Sequence, residues 1–293
     1  MPQLRVYKES GEILFDTALI SYGLIKSGHM AYQQTWQRRT LISSQLDPNN
    51  GANWTPVTVT VNPAHKTDAL HGFTVANATS PIVFIVGPGC LNGTFRSGND
   101  ITFYYSNAGT STKFYCFDLM ADNISGSPYL KTWDATGRIT FNSLQTPLNV
   151  VNTIQAPGPG VLSGGRYATT YASGYNYSLN SGPVNEYNWP RLISRVDIPL
   201  GAGFEYAVYL PWSRSVGIND SFPLGGFDSY SQYGGIEGAF GGSGNISFIF
   251  GASAGTTYDD TVPSSNTGFF NLPTDRYPVA LVIKTDNLPF PYN

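Results

Sequence analysis

Several groups of residues in this chain have types and spacings that chemistry could use. Gly251–Gly255 reads GASAG, a G-x-S-x-G that would make Ser253 a nucleophile held on a strand-to-helix turn. The alternating run NISFIF precedes it, but the turn-rich TTYDDTVPSSN follows where a helix is needed. All three histidines (His29, His65 and His71) stand earlier in the chain, whereas a hydrolase of that type carries its histidine later. Ser253 therefore reads as a turn serine. In HKTDALH, His65, Asp68 and His71 are three residues apart and would share a face of a short helical turn, as a metal site or a His/Asp pair requires. No third strong ligand stands nearby, so a solvated turn is the preferred reading. DPNNG, Asp47 to Gly51, opens like a calcium loop but lacks the closing acid. Glu186, Glu205, Glu237 and the adjacent Asp259 and Asp260 are acids from which a glycan-cleaving pair, about 5 to 10 Å apart, would have to be drawn. Asp259 and Asp260 would point to opposite faces of an extended segment. GPGVLSGG, at 158–165, has neither the glycine spacing nor the following helix of a phosphate cradle. The expectation is no catalytic residue, no metal and no cofactor.

The elements that position side chains here are strands. Only 12 % of the 293 residues are charged, about half the usual share, and no lysine stands between Lys131 and Lys284. The surface of the second half must then be hydrated by hydroxyls and amides, which suits an extracellular or virion protein. A net charge of −3 supplies no basic footprint for nucleic acid. The longest strongly apolar run, PIVFIV, is too short to cross a bilayer, and Lys8, Glu9, Glu12 and Asp16 interrupt the start where a signal peptide would need an apolar stretch. Cys90 and Cys116 read as buried free thiols of a protein folded in a reducing cytosol.

Period-two alternation recurs along the chain, in VTVTV (57–61), FEYAVYL (204–210), VALVIK (279–284) and a dozen shorter runs, separated by turn words such as VGPGC, RSGND and APGPG. A single helical turn around TDALH is the only helix expected. The pattern predicts an all-β chain of two antiparallel, β-sandwich-like modules with Gly/Pro-rich loops. One phrase is written twice. VYKESGEILFDT and TWDATGRITFNS lie 126 positions apart and align Tyr7 with Trp133, Gly11 with Gly137 and Phe15 with Phe141. Each predicts a β-hairpin with a three-residue loop, ESG or ATG, closed by a glycine at positive φ. The second copy places a module boundary near residue 126, giving modules of 1–125 and 126–293. The segment 225–255 alternates glycine with Tyr, Phe, Ser and Asn and reads as a loop with exposed rings, suited to recognition or to packing against another subunit.

The two hairpin phrases, with ALISYGLIKSG after the first, resemble small tail-tip, baseplate and short-fibre proteins of long-tailed, siphovirus-type bacteriophages of Gram-negative hosts. In that group a line of the type L-x-V-W-D-A-x-G-x-x-x-F-D-S recurs. The resemblance covers about twenty residues at each copy and supplies no catalytic residue. It implies a β-rich subunit at the distal end of a virion tail, made in the host cytoplasm without a signal peptide. Its partners would be other tail or baseplate proteins and a host surface glycan or protein receptor, and it would assemble as a homotrimer. The rings expected to make contacts are Phe227, Tyr230, Tyr233 and Phe240, with Tyr171, Tyr175 and Tyr177 as a second set, while Tyr7, Phe15 and Tyr22 would pack internally or against the tail. A glycan-cleaving tail enzyme and a purely structural adaptor between tail tube and fibres are the alternatives.

Overall fold

A computed structural model describes residues 5–7, 9–16, 19–41, 54–56, 67–179, 191–224, 227–259 and 267–293. The described chain is all-β. In order, β1 (Arg5–Tyr7) and β2 (Ile13–Asp16) precede β3 (Tyr22–His29), β4 (Ala31–Gln37), β5 (Arg39–Leu41), β6 (Trp54–Pro56) and β7 (Thr67–Val75). Then come β8 (Ile82–Val86), β9 (Cys90–Ser97), β10 (Asp100–Ser106), β11 (Lys113–Leu119), β12 (Lys131–Trp133) and β13 (Ile139–Asn142). They are followed by β14 (Asn152–Gln155), β15 (Leu162–Ser163), β16 (Arg166–Tyr167), β17 (Tyr175–Leu179), β18 (Arg191–Pro199) and β19 (Tyr206–Tyr209). The last six are β20 (Ser215–Leu224), β21 (Phe227–Gly241), β22 (Asn245–Ala252), β23 (Tyr258–Asp259), β24 (Gly268–Phe270) and β25 (Val279–Lys284). The run VTVTV and the turn DPNNG lie outside the described residues.

Four strands in the order β4-β7-β10-β9 make one sheet, and fifteen strands make a second, branched one. Along the main path of the large sheet, β14-β25-β19-β8-β21-β20-β24-β16-β15, the contact of β8 with β21 is parallel. Branches add β11 and β3 beyond β8, and β22, β18 and β17, together with β23, beyond β21.

Strand alternation explains how this sheet divides the interior. In β19, Tyr206 and Val208 enter one hydrophobic cluster and Ala207 packs into another; in β25, Ala280 and Val282 enter the first and Ile283 the second. The expected two-faced alternation of FEYAVYL and VALVIK is therefore present, and both faces are covered. β8 does the same between the second cluster, through Phe84 and Val86, and a third, through Val83 and Ile85. Its continuous apolar run is what a strand buried on both faces requires. This double coverage accounts for the low charge of the chain.

The two segments divided at residue 126 share these structures. β8 hydrogen-bonds with β11 on one side and with β19 on the other. Two of the three clusters draw residues from both segments, for example Phe73 and Phe114 with Phe240 and Ile249.

The repeated phrase folds into the same object twice. β1 and β2 pair Arg5 with Asp16, Val6 with Phe15 and Tyr7 with Ile13; β12 and β13 pair Lys131 with Asn142, Thr132 with Phe141 and Trp133 with Ile139. Every pair matches at an offset of 126, and both ladders carry a bulge at the same place. Gly11 and Gly137 have φ of +83° and +81°, the left-handed conformation that a glycine adopts without steric penalty. In the second copy, Asp134 N donates to Arg138 O at 2.9 Å and Gly137 N to Asp134 O at 3.1 Å, which closes ATG as a three-residue loop. The match continues past the hairpin, because Leu19 N donates to Asp16 O and Gln145 N to Asn142 O, each at 3.0 Å. Beyond it the copies meet: Leu148 N donates to Tyr22 O, at positions again 126 apart.

Three expectations change. TDALH is the start of β7, paired on both sides by β4 and β10, so neighbouring strands override its local helical preference. Most of the glycine-rich segment forms β21, the longest strand among the described residues, followed by β22. The run RYATTYAS, whose alternation reads as a strand, is one only at Arg166–Tyr167.

Candidate functional site

The rings expected to be exposed divide into three groups. Tyr171, Tyr233 and Phe240 are buried in the core, a correction with a clear cause. β21 is paired on both sides, so alternate residues enter the two clusters it separates: Tyr233 with Ala239 in one, Phe240 in the other. Phe227 and Tyr230 lie on β21, but their side chains are outside the described residues. Tyr175 and Tyr177 lie on β17, two residues apart on one face, with ring centroids 6.2 Å apart. Tyr175 is 45 % exposed and Tyr177 partly buried. The Tyr175 hydroxyl donates to Asp197 Oδ2 at 2.9 Å, while Arg195 and Ser247 donate to Oδ1. Burial opposes the charge of Asp197, but hydrogen bonds from Ser247, Arg195 and Tyr175 outweigh it and hold the carboxyl below its ordinary range. In the hairpins, Tyr7 and Trp133 are both exposed and the half-buried Tyr22 bonds Ser80; the Phe15 side chain is outside the described residues.

The chemical candidates separate in space. Ser253 Oγ accepts a hydrogen bond from Asn92 at 3.2 Å and its N–H binds Gly234 O, a tie between a turn and the four-stranded sheet. His65 lies outside the described residues. On the extended β7, Asp68 and His71 are three residues apart and do not share a face. Asp68 is fully buried and accepts two 2.8 Å hydrogen bonds from Arg38 and another from Arg191. Burial disfavours its charge, but the two arginines outweigh that and lower its pKa. His71 instead stands edge-on to Tyr32, with burial lowering its pKa, on the wall of a cavity of about 380 Å³.

Of the acids, Glu186 and Asp260 lie outside the described residues, as does the Asp259 side chain. Glu205 sits beside Lys113 and Thr285 at 2.8 Å each. Glu237 is buried, gripped by Arg214 through two 2.8 Å hydrogen bonds and by the Tyr171 hydroxyl at 2.8 Å. An ion pair removed from water in this way is held by its complete set of partners. Cys90 and Cys116 are free and buried, and burial pushes the Cys90 thiol up to about 12. Among the described residues no group of three metal-ligating side chains occurs.

The remaining feature with a recognition chemistry is the outward face of the four-stranded sheet. β10 buries Ile101, Phe103 and Tyr105 and turns Thr102 and Tyr104 outward. Residues directly paired across an antiparallel ladder share a face. Thr102 therefore stands between Thr74 and Phe95, and Tyr104 between the glycines Gly72 and Gly93. Thr74 and Thr102 share a 2.8 Å hydroxyl hydrogen bond. Phe95 is 58 % exposed, and the Trp36 ring tilts over Tyr104 at 5.9 Å and 50°. The Gln33 side chain lies over Gly72 and the Trp36 ring over Gly93, and the partly exposed rings form a shelf edged by hydroxyls. Sequence reasoning passed over this face, although the alternation of ITFYYS already separated Thr102 and Tyr104 from the buried Ile101, Phe103 and Tyr105.

Comparison with known families, curated proteins and solved structures finds no match to this chain.

Proposed function

We propose that this chain is a virion structural protein of a phage tail tip or baseplate that contributes to host attachment. The observation that carries the reading is the twice-written hairpin. The residues on which the tail-tip resemblance rests fold with identical register, bulge and glycine conformation in both copies. The attachment half is supported by the shelf of Trp36, Tyr104 and Phe95 and by the Tyr175–Tyr177 pair. Rigid rings beside hydroxyls offer large contact area and adaptable hydrogen bonding, the composition of recognition surfaces. A host surface saccharide suits such a shelf, its apolar ring faces lying on the aromatics and its hydroxyls meeting Thr74 and Thr102. Weak single contacts become strong when a trimer presents several at once.

The test is binding of the purified chain to Gram-negative host cells, together with its ability to slow adsorption of the phage. The double variant Trp36→Ala/Tyr104→Ala should bind at least roughly tenfold more weakly, since aromatic anchors carry a disproportionate share of binding energy. Its far-UV circular dichroism should be that of the parent. A parent chain that neither binds cells nor slows adsorption would reduce the reading to a structural role. Clearing of host polysaccharide by the chain alone would favour the glycan-cleaving enzyme.

A further inference from the structure

His71 pairs with Tyr105 across the β7–β10 ladder, so its side chain lies on the side of the sheet opposite Tyr104 and the shelf. Further along this face Phe73 and Val75 enter the core, while Ala69 is exposed and His71 only partly buried. The core opens there into the cavity of about 380 Å³, at the small end of the roughly 300–1,000 Å³ that ligand pockets occupy. Its other walls are Pro88, Arg191 and the loop 107–112 between β10 and β11.

These walls are braced by bonds of their own. The Asn107 side-chain amide donates to Ala252 O at 3.0 Å, and Thr112 Oγ1 donates to Pro88 O at 2.8 Å and accepts from Gly109 N at 3.3 Å. Arg191 donates to Asp68 and to Thr67 O, so its charge is met behind the wall, and among the described residues no acid lines the cavity. Three lining side chains are left with no hydrogen-bond partner among the described residues: His71, Thr110 and Ser111. Unpaired polar groups in a sheltered site call for an explanation. Nδ1 of His71 is enclosed, which leaves Nε2 as the nitrogen that a ligand can reach. Burial lowers the pKa of the ring, so it is neutral at pH 7.

We propose that this cavity is a binding site for a small uncharged polyol, such as a single sugar ring, held by His71 Nε2 and by the hydroxyls of Thr110 and Ser111. A ligand hydroxyl both donates and accepts, which matches a neutral imidazole and two protein hydroxyls. Ala69, Pro88 and Ala108 meet its C–H groups. An ion finds no free counter-charge in the wall, since Arg191 is spent on Asp68. The site is separate from the shelf and stands independently of the attachment reading.

Imidazole nitrogen NMR of the isotope-labelled full chain tests it, because the chain has three histidines and His71→Phe assigns the signal. Glucose, galactose, mannose and glycerol are titrated in turn, with glucuronate as the charged comparison. At least one neutral probe should shift the His71 Nε2 signal saturably while the signals of His29 and His65 stay in place. Ser111→Ala removes an exposed loop hydroxyl and should weaken that binding roughly threefold to tenfold, the effect of losing one neutral hydrogen bond. Trp36→Ala/Tyr104→Ala should leave the titration unchanged. A His71 signal that no neutral probe moves, or that moves only in proportion to probe concentration, overturns the proposal. A stronger response to glucuronate than to every neutral probe also overturns it, since the cavity is then an anion site. Unaltered affinity in Ser111→Ala together with Thr110→Val removes the loop hydroxyls from the site and overturns it as well. Host-cell binding of the parent reads the attachment function separately.

Discussion

Asp134 organises the loop of the second hairpin. Its Oδ1 accepts from Thr136 N, Thr136 Oγ1 and Arg138 N, at 2.8, 2.6 and 3.0 Å, and its Oδ2 accepts from Arg138 Nε at 3.0 Å. These bonds, the Thr136 hydroxyl foremost and the Arg138 N–H next, favour the charged carboxylate and lower its pKa from an ordinary 3.8 to about 2. A depressed folded-state pKa gives stability that is present above the unfolded-state value and lost as pH falls through the folded one. The hairpin should therefore loosen between about pH 4 and pH 2, and the stability difference between the parent and Asp134→Asn should shrink across that window. Thermal unfolding against pH measures it; a difference that stays constant to pH 2 would remove Asp134 from this role. The first copy cannot build the same box, because Lys8 and Glu12 stand where Asp134 and Arg138 do. The positive-φ glycines were legible at this scale, because a turn conformation depends on a few adjacent residues.

At the scale of elements, β21 shows where local reading stops. Its glycines resemble those of a loop, but several stand where neighbouring strands press close. A Cβ at Gly241 would lie 1.7 Å from Tyr206 O, and one at Gly238 would lie 2.5 Å from Gly89 O. Glycine is used here because another backbone occupies the space, the role it often has inside strands. Gly241→Ala should therefore destabilise the protein by about 1–3 kcal/mol or more, as overpacking does. Gly109→Ala, where an added Cβ would meet nothing within 4 Å, should stay within about 0.5 kcal/mol of the parent. Urea denaturation of the two variants decides it, and equal stabilities would dismiss the steric account. No short window of sequence could have separated loop glycines from these two, since Tyr206 and Gly89 stand far from them along the chain.

At the scale of the molecule, β8 and β11 from the first segment complete the sheet that carries β19, β21 and β25 from the second. A fragment of residues 126–293 alone would expose Ala207 and Ile283, which pack with Phe84, Phe117 and Leu24 in the whole chain. The expected outcome is one cooperative denaturant transition, the same by fluorescence and by far-UV circular dichroism, for the full chain, with fragments 1–125 and 126–293 failing to fold separately. A fragment with a native-like unfolding transition of its own would establish independent modules.

By itself the sequence determined the all-β class, the hairpin pair with its turn glycines, the alternation of individual strands and the buried character of both cysteines. Each of these follows from contacts between residues close in the chain or from composition. Only the tertiary structure decided that β7 is a strand, that the glycine-rich segment is central, that Tyr171, Tyr233 and Phe240 are core, and that Trp36 meets Tyr104 on a partly exposed face. Alternation states which residues share a face, but whether that face meets water or another layer depends on strands far away in the chain.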